Sequence, residues 1–194
     1  MWFVSNVTVV IIIGEVVAGT GPKIYASKNF NVPIEFADYT GSYELALTSN
    51  SESIYLVVTN NESSVNELYY FTSKWNGSWS SAQRLTFKNG EAHNPIIAIN
   101  PQGFLNVVWR DTRDWNSNLF FTQLTTDGLT LVSDYRLTSY TNLTGEFLFD
   151  VQGFPLAGTL APSFTIDASG FMHVSFTLSP FTFYPLPFTL HLCI

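Results

Sequence analysis

Apolar and polar residues in the middle of the chain alternate in a pattern that predicts an antiparallel β-meander. Three apolar runs rich in β-branched and aromatic residues cover positions 96–99, 105–109 and 119–123. A Pro-Gln-Gly turn follows the first run, and an Asp- and Asn-rich stretch follows the second. Val, Ile, Phe and Trp suit a pleated, half-buried surface, whereas Pro, Gly, Asp and Asn reverse the chain. We expect a fourth strand at 135–138 to complete one sheet, in that spatial order.

The same meander recurs elsewhere in the chain. Residues 53–60 align with residues 104–111, and the tripeptide Arg-Leu-Thr at 84–86 recurs at 136–138. Both matches have a spacing of about 50 residues, the length of one unit in several repeat architectures. A third copy at 161–177 follows after a longer interval, because the preceding connecting loop has grown.

A repeat of about 50 residues with four strands and no helical period predicts β-propeller blades. We therefore predict an all-β fold of four-stranded antiparallel meanders, with about three blades. The whole blades lie at 44–86 and 94–138, and partial blades lie at 21–41 and 161–194. Propellers close with about 4–8 blades, so we expect an incomplete or open propeller.

The end of the chain departs from the repeat. Prolines at 180, 185 and 187 oppose central strands there, which indicates a truncated or frameshifted reading frame. An open arc would expose apolar residues such as Val174 and Phe176, together with unpaired strand edges. We therefore predict that the chain self-associates through its open blade edges.

The N-terminal residues 1–20 are strongly apolar and have two interpretations. The favoured one is a signal peptide or membrane anchor, and the alternative is a buried β-strand. Export is also indicated by glycosylation sequons at Asn61, Asn76 and Asn142. The predicted location is therefore secreted or at the cell surface.

Composition narrows the range of partners. The chain has 194 residues, of which 8 are Lys or Arg, and a net charge of −7. Phosphate binding needs clustered cations, so we predict no nucleic-acid partner. A single cysteine, Cys193, excludes an intrachain disulfide and a cysteine-based metal site.

The repeat consensus resembles a known superfamily. Its pattern P-x-I-A-[ID]-x-x-G-x-x-[NH]-V-[VS]-[WF]-x-D-x-R-D, followed by L-[YF]-[YF], is similar to the repeats of the sialidase-like β-propellers. The Asp-box of that superfamily, S-x-D-x-G-x-T-W, joins the two outer strands of a blade, and residues 73–79 occupy this place in degenerate form. The resemblance implies a propeller architecture, and fold does not by itself imply activity.

Sialidase chemistry, as the resemblance implies it, needs an arginine triad, a Tyr nucleophile activated by Glu, and an Asp acid/base. Arg84 and Arg136 share one repeat position on outer strands, while Arg110 and Arg113 share one turn. We therefore expect no triad and assign no catalytic residue. His93 occupies a variable repeat position, so we interpret it as a surface or packed residue.

The densest polar cluster spans residues 110–116. Its candidate ligand-binding residues are Arg110, Asp111, Arg113, Asp114 and Trp115, with Arg113 as a planar donor and Trp115 as a stacking face. The favoured alternative is structural: Asp111 and Asp114 accept bonds from turn amides, and Arg113 pairs with Asp111. On that interpretation Asp111→Ala lowers stability by about 1–2 kcal/mol. Calcium is a weak further possibility, with oxygen ligands from Asp111, Asp114, Asn116 and Asn118.

The long loop at 139–160 adds Tyr140 and Glu146 to the candidate binding residues. Loops of this length in compact domains are usually functional or disordered, and an extra hairpin is the alternative. The predicted function is a binding or structural propeller module whose partner is a carbohydrate or another protein. The alternative is a fragment of a sialidase-like glycoside hydrolase or lyase acting on extracellular carbohydrate.

Overall fold

The computed structural model is all-β. It describes residues 11–17, 21–27, 34–38, 44–60, 65–74, 78–88, 90–113, 117–139, 158–179 and 188–193. Every regular element within these ranges is a strand. None of the described residues belongs to a helix of the length and apolarity that crossing a bilayer requires.

The described strands form four antiparallel sheets, which we call blades 1 to 4 in chain order. Blade 1 contains β1 (Ile11–Val17), β2 (Gly21–Ser27) and β3 (Ile34–Asp38). Blade 2 contains β4 (Leu45–Ser49), β5 (Ser53–Asn60), β6 (Glu67–Lys74) and β7 (Gln83–Arg84). Blade 3 contains β8 (Ala92–Ile99), β9 (Leu105–Asp111), β10 (Asn118–Leu124) and β11 (Thr130–Arg136). Blade 4 contains β12 (Gly158–Ile166), β13 (Met172–Ser179) and β14 (Phe188–Cys193).

Blade 3 confirms the predicted meander. Its four strands lie in the spatial order of the sequence and belong to one sheet. The outer strand differs from the prediction in its bounds, because β11 begins at Thr130 and ends at Arg136. A tight hairpin places it there: Thr125 N donates to Leu129 O at 2.9 Å, and the chain turns back at once.

Strands are also present near both ends of the chain. Residues 11–17 form β1, which agrees with the strand alternative for that stretch, and the signal or anchor interpretation stays a prediction. Residues 188–193 form β14, which pairs with β13. The three prolines, at 180, 185 and 187, lie outside the described residues, so the expectation that they oppose central strands stays a prediction. All three prolines precede β14, whose own residues favour strands.

The central strands carry apolar residues on both faces because both faces are buried. Successive side chains of a strand point to opposite faces. Tyr55 and Val57 of β5 pack toward blade 3, whereas Leu56 and Val58 belong to a separate apolar cluster on the other face. Trp109 of β9 lies in the interface between blades 2 and 3, where it is 0% exposed and stacks on Phe120 at 5.9 Å.

Blade 4 packs on blade 3 in the same way. Val174 and Phe176 are 0% and 3% exposed and pack with Val108, Leu119 and Phe121 of blade 3. The expectation that an open arc exposes Val174 and Phe176 is therefore wrong, because blade 3 covers the face that carries them.

Blades 2, 3 and 4 are consecutive neighbours. Their first strands β4, β8 and β12 lie beside one another, and β8 is in contact with both of the others. These strands all begin at one end of the molecule, which we call the mouth end. The opposite turn end carries hairpins in which Gly103, Gly128 and Gly170 adopt φ values of 86°, 92° and 90°. Such a left-handed conformation favours glycine and explains the Pro-x-Gly and related turns in the repeat.

Candidate functional site

Most of the described buried polar residues lie at the mouth end. They are found where β5 and β9 end, where β6, β8 and β10 begin, and after the outer strands. These residues are Thr59, Asn60, Glu67, Thr86, His93, Arg110, Asp111, Ser117 and Asn118. Buried polar groups need hydrogen-bond partners, so this concentration marks the mouth end as the chemically specialised part of the molecule.

Five residues of this end form a group that we call the mouth cluster: Glu44, Glu91, His93, Asn94 and Arg110. Glu44 immediately precedes β4, and its backbone N donates to Thr59 Oγ1 at 2.8 Å. Glu91 immediately precedes β8, His93 and Asn94 lie near its start, and His93 pairs in register with Arg110 of β9. The cluster therefore joins the first strands of blades 2 and 3.

The side chain of His93 lies between two carboxylates. Its Nδ1 is 3.8 Å from Glu44 Oε2, and its Nε2 is 3.1 Å from Glu91 Oε2. Asn94 holds the other side of Glu44, since its backbone N donates to Oε2 and its Nδ2 donates to Oε1 at 3.2 Å. Asn94 has a φ of 49°, a left-handed conformation that Asn tolerates better than most residues. The backbone is thus shaped to present both Asn94 donors to one carboxylate.

The environment of Glu44 keeps its carboxylate ionised. Burial raises the pKa of Glu44, but the hydrogen bonds from His93 and from Asn94 N, with the charges of His93 and Arg110, outweigh it and leave the pKa lowered. The Glu44 side chain is 31% exposed, so a ligand at the mouth can reach it. An ionised carboxylate in this position can accept hydrogen bonds from ligand hydroxyls or act as a base.

Asp111 and Arg113 have a structural role in blade 3. Arg113 Nη2 donates to Asp111 Oδ2 at 2.6 Å, and Arg113 Nη1 lies 3.1 Å from Asp134 Oδ1. The guanidinium also lies 4.2 Å from the ring centre of Phe120. Asp111 further accepts from Arg113 N and from Trp109 Nε1. The predicted pairing of Arg113 with Asp111 is therefore present, and ligand binding by this pair stays a prediction.

Of the other predicted ligand-binding residues, only Arg110 is brought into the mouth cluster. The remaining candidate ligand-binding and glycosylation residues lie outside the described residues: Asp114, Trp115, Tyr140, Glu146, Asn61, Asn76 and Asn142. Asn118, one of the candidate calcium ligands, accepts a hydrogen bond through Oδ1 from Thr138 Oγ1 at 3.1 Å. Within the described ranges, His, Cys, Asp and Glu form no group of three suited to a metal ion.

Three of the described arginines lie at separate positions in blades 2 and 3. Arg84 Nη2 lies 2.5 Å from Glu67 Oε1 in blade 2, and Arg136 Nε donates to Thr138 O at 2.7 Å in blade 3. Arg113 is held by Asp111 inside blade 3. These three guanidinium groups therefore do not converge on the mouth cluster with Arg110.

Sequence reasoning missed Glu44, Glu91 and Asn94, and it interpreted His93 only as a surface or packed residue. His93 is packed, at 4% exposed, but it lies between two carboxylates. Glu44 and Asn94 are 50 residues apart, so only the packing of one blade on the next brings them together. The available signal was positional: each of these residues lies at or just before the start of a first strand of a repeat.

Known proteins resemble this chain in fold alone. No family model matches it, and no curated protein matches it. An endo-arabinase from Bacteroides thetaiotaomicron matches with a TM-score of 0.51 and 12% identity, over 95% of this chain and 70% of the enzyme. The α-L-arabinofuranosidase PaAbf62A from Podospora anserina, solved with cellotriose, matches with a TM-score of 0.52 and 11% identity. That match covers 89% of this chain and 66% of the enzyme.

The chain is shorter than the proteins it resembles. It spans 47% of a glycosyl hydrolase from Bacteroides ovatus, with a TM-score of 0.46. It spans about two thirds of the two enzymes with higher TM-scores. The four antiparallel sheets and these two likenesses together identify the fold as that of β-propeller blades.

Proposed function

We propose that this chain is the carbohydrate-binding part of a propeller-type glycoside hydrolase and that its mouth cluster contacts the sugar. The observation that carries the proposal is the partly exposed, ionised Glu44 carboxylate, held by Asn94 and facing His93 where two first strands begin. The fold likeness to an endo-arabinase and an α-L-arabinofuranosidase supports a carbohydrate as the ligand and arabinan as its class.

The chemistry of the mouth cluster suits sugar hydroxyls. Carboxylates accept hydrogen bonds from hydroxyls, and bonds to a charged acceptor are stronger than neutral ones. Glu44 and Glu91 supply two such acceptors, one beside each ring nitrogen of His93. Pairs of carboxylates also carry out most glycoside hydrolysis, one as acid and one as base or nucleophile. Because Glu44 is ionised, it suits substrate binding or the base role rather than the acid role.

Hydrolysis is proposed for the whole propeller, and binding is proposed for this chain. The chain spans about two thirds of the two enzymes, so an acid from a further blade would complete the site. The other candidate, a propeller module that binds carbohydrate without cleaving it, uses the same mouth cluster. Release of reducing ends from arabinan separates the two, because only the hydrolase produces them.

Calorimetric titration with arabinotriose tests the proposal. We expect Glu44→Gln to weaken binding about tenfold, which corresponds to loss of one charged hydrogen bond. The matched control is Asp167→Asn, which removes a carboxylate at the turn end. The equivalent turn of blade 3 already has an Asn in this place, Asn100, which makes the same type of turn bond.

The control should bind arabinotriose within about twofold of the wild type. Equal weakening by both variants, or unchanged binding by Glu44→Gln, would show that the sugar does not contact the mouth cluster. Absence of binding to arabinotriose, xylotriose and cellotriose by the wild type would overturn carbohydrate recognition by this cluster.

We also propose a secreted or surface location and a sialidase-like ancestry of the repeat. The apolar residues 1–20 and the three sequons support export, and the W-x-D-x-R-D repeat supports the ancestry. In a secreting eukaryotic host, glycans at Asn61, Asn76 or Asn142 are expected in the medium by mass spectrometry. Unglycosylated chain retained inside the cells would contradict export. Sialic acid release is not expected, because Arg84, Arg113 and Arg136 serve separate structural sites.

A further inference from the structure

We propose that a cleft at the turn end, between blades 2 and 3, is a second binding site that takes a neutral oligosaccharide. The cleft has a volume of about 470 Å³. Blade 2 contributes the β4–β5 turn and residues 72–74 and 78–80, while blade 3 contributes Thr126 and Asp127. We call it the turn cleft. Ligand sites in proteins commonly have volumes of about 300–1,000 Å³.

The walls of the turn cleft are held in place by bonds between the two blades. Tyr70 Oη donates to Thr126 O at 3.1 Å, and Gln83 Nε2 donates to Gly128 O at 2.7 Å. Within blade 2, Asn50 Nδ2 donates to Tyr55 Oη at 2.9 Å. A cleft whose walls are already connected loses little conformational entropy when a ligand binds.

The lining of the turn cleft suits sugar more than other ligand classes. Hydroxyl side chains dominate it, and the half-buried Trp79 supplies an aromatic surface. Its charged residues are Glu52, Lys74 and Asp127, so it has no cluster of cations for a phosphate or nucleic acid. An aromatic face combined with several donors and acceptors matches the apolar and hydroxyl-bearing faces of a sugar ring.

Specific atoms in the turn cleft can bind hydroxyls. Ser80 Oγ accepts from Thr72 N at 3.1 Å, and its own hydroxyl hydrogen is left to donate. The exposed carboxylate of Asp127 can accept, and the hydrogen bond from Thr125 lowers its pKa. These groups surround the cleft from both blades.

The turn cleft is separate from the mouth cluster. Glu44 precedes β4 at the mouth end, whereas Asn50 and Ser53 lie at the other end of the same strand and its neighbour. A ligand in the turn cleft therefore contacts none of the mouth residues. The two proposals can fail independently.

The test is a titration of the isotope-labelled chain with xylotriose, maltotriose and cellotriose, followed by amide NMR. At least one of these sugars should shift the signals of residues 72–74 and 126–127. The blocking variant is Thr126→Arg, which places a long side chain in the cleft while keeping the backbone carbonyl that Tyr70 contacts. Its matched control is Ala168→Arg, which occupies the same position in a blade 4 hairpin with the same pattern of backbone bonds.

Thr126→Arg should weaken the affinity for that sugar about tenfold or more, with Ala168→Arg within about twofold of the wild type. Three outcomes would overturn the proposal. The first is that none of the three sugars shifts these signals. The second is that the shifts centre on the mouth cluster instead. The third is that Thr126→Arg binds as well as Ala168→Arg while amide spectra report the same fold.

Discussion

Single residues in the hairpin turns have roles that depend on their neighbours. Gly103 and Gly128 occupy equivalent positions with φ values of 86° and 92°. A Cβ added at Gly103 would have no atom within 4 Å, whereas one at Gly128 would lie 2.4 Å from Gln83 Oε1. Both positions therefore require a left-handed backbone, but of the two only Gly128 also lies against a side chain of the neighbouring blade.

Alanine at these two positions should therefore have unequal effects. Gly103→Ala should lower the free energy of unfolding by about 1 kcal/mol, the cost of a left-handed alanine. Gly128→Ala should lower it by about 2–3 kcal/mol, because it also displaces Gln83 from its bond to Gly128 O. Urea denaturation of both variants measures the difference. Equal losses would mean that the Gln83 bond contributes nothing.

Asp111 contributes more to the stability of the fold than its position in a polar turn indicates. It is 2% exposed, and its carboxylate accepts from Trp109 Nε1, Arg113 N and Arg113 Nη2. Asp111→Ala should therefore cost about 3 kcal/mol, above the 1–2 kcal/mol expected from the sequence, because a buried guanidinium loses a partner. Thermal denaturation tests this, with Asp127→Ala on the exposed surface as the control. A loss equal to that of the control would contradict the structural role.

At the scale of whole elements, the recurring Arg-Leu-Thr tripeptide closes each complete blade. Leu85 N donates to Leu68 O and Leu137 N donates to Leu119 O, both at 2.8 Å. The threonine of each tripeptide bonds to the same leucine of the third strand. Thr86 Oγ1 accepts from Leu68 N, and Thr138 Oγ1 accepts from Leu119 N, both at 2.9 Å. The repeat was visible in the sequence because each blade needs this connection between its outer and third strands.

The two threonines differ in the group to which they donate. Thr86 Oγ1 donates to the carboxylate of Glu67, which is 3% exposed, whereas Thr138 Oγ1 donates to the Asn118 amide oxygen. Thr86→Val should therefore be more destabilising than Thr138→Val, by about 1 kcal/mol, because bonds to a charged group are stronger. Chemical denaturation of both variants measures this. A larger loss for Thr138→Val would contradict the assignment.

Strands could be predicted from the sequence where the local pattern of residues is enough to define them. Tyr55, Leu56 and Val57 are all buried, on alternating faces of the sheet. An apolar run of this kind is a local pattern, so β5 and its repeat β9 could be predicted. The mouth cluster could not be found in this way. Glu44 and His93 belong to different repeats, and their proximity depends on how one blade packs against the next.

At the scale of the molecule, the mouth cluster connects blades 2 and 3 through charge. Burial raises the pKa of Glu44, but hydrogen bonds and cationic neighbours lower it below its ordinary value of 4.5. A lowered folded pKa means that Glu44 contributes stability that is fully present above pH 4.5 and is lost as the pH falls through the folded pKa.

The stability difference between the wild type and Glu44→Gln should therefore be largest near neutral pH and should shrink in acid. Thermal unfolding from about pH 7 to pH 3 measures it. His93 and Arg110 face Glu44 in this cluster, together with Asn94, so the variant His93→Gln should show a smaller version of the same trend. A difference that grows as the pH falls would show that Glu44 is not stabilised as an anion.

Burial of Val174 and Phe176 changes the expectation for the assembly of the chain. Blade 4 is packed on blade 3, so any association must use the other edges and faces of the arc. Self-association stays a prediction, and sedimentation velocity at several concentrations measures it. A monomer at all concentrations would contradict it.

The most direct test of the central claim is a crystal structure of the chain soaked with a neutral oligosaccharide. We expect sugar density at the mouth end, with a ring hydroxyl within hydrogen-bond distance of Glu44 and a second contact to His93, Asn94 or Arg110. Well-ordered crystals that contain no sugar at the mouth end, or sugar that avoids Glu44, would contradict the claim that these propeller blades bind carbohydrate through the mouth cluster.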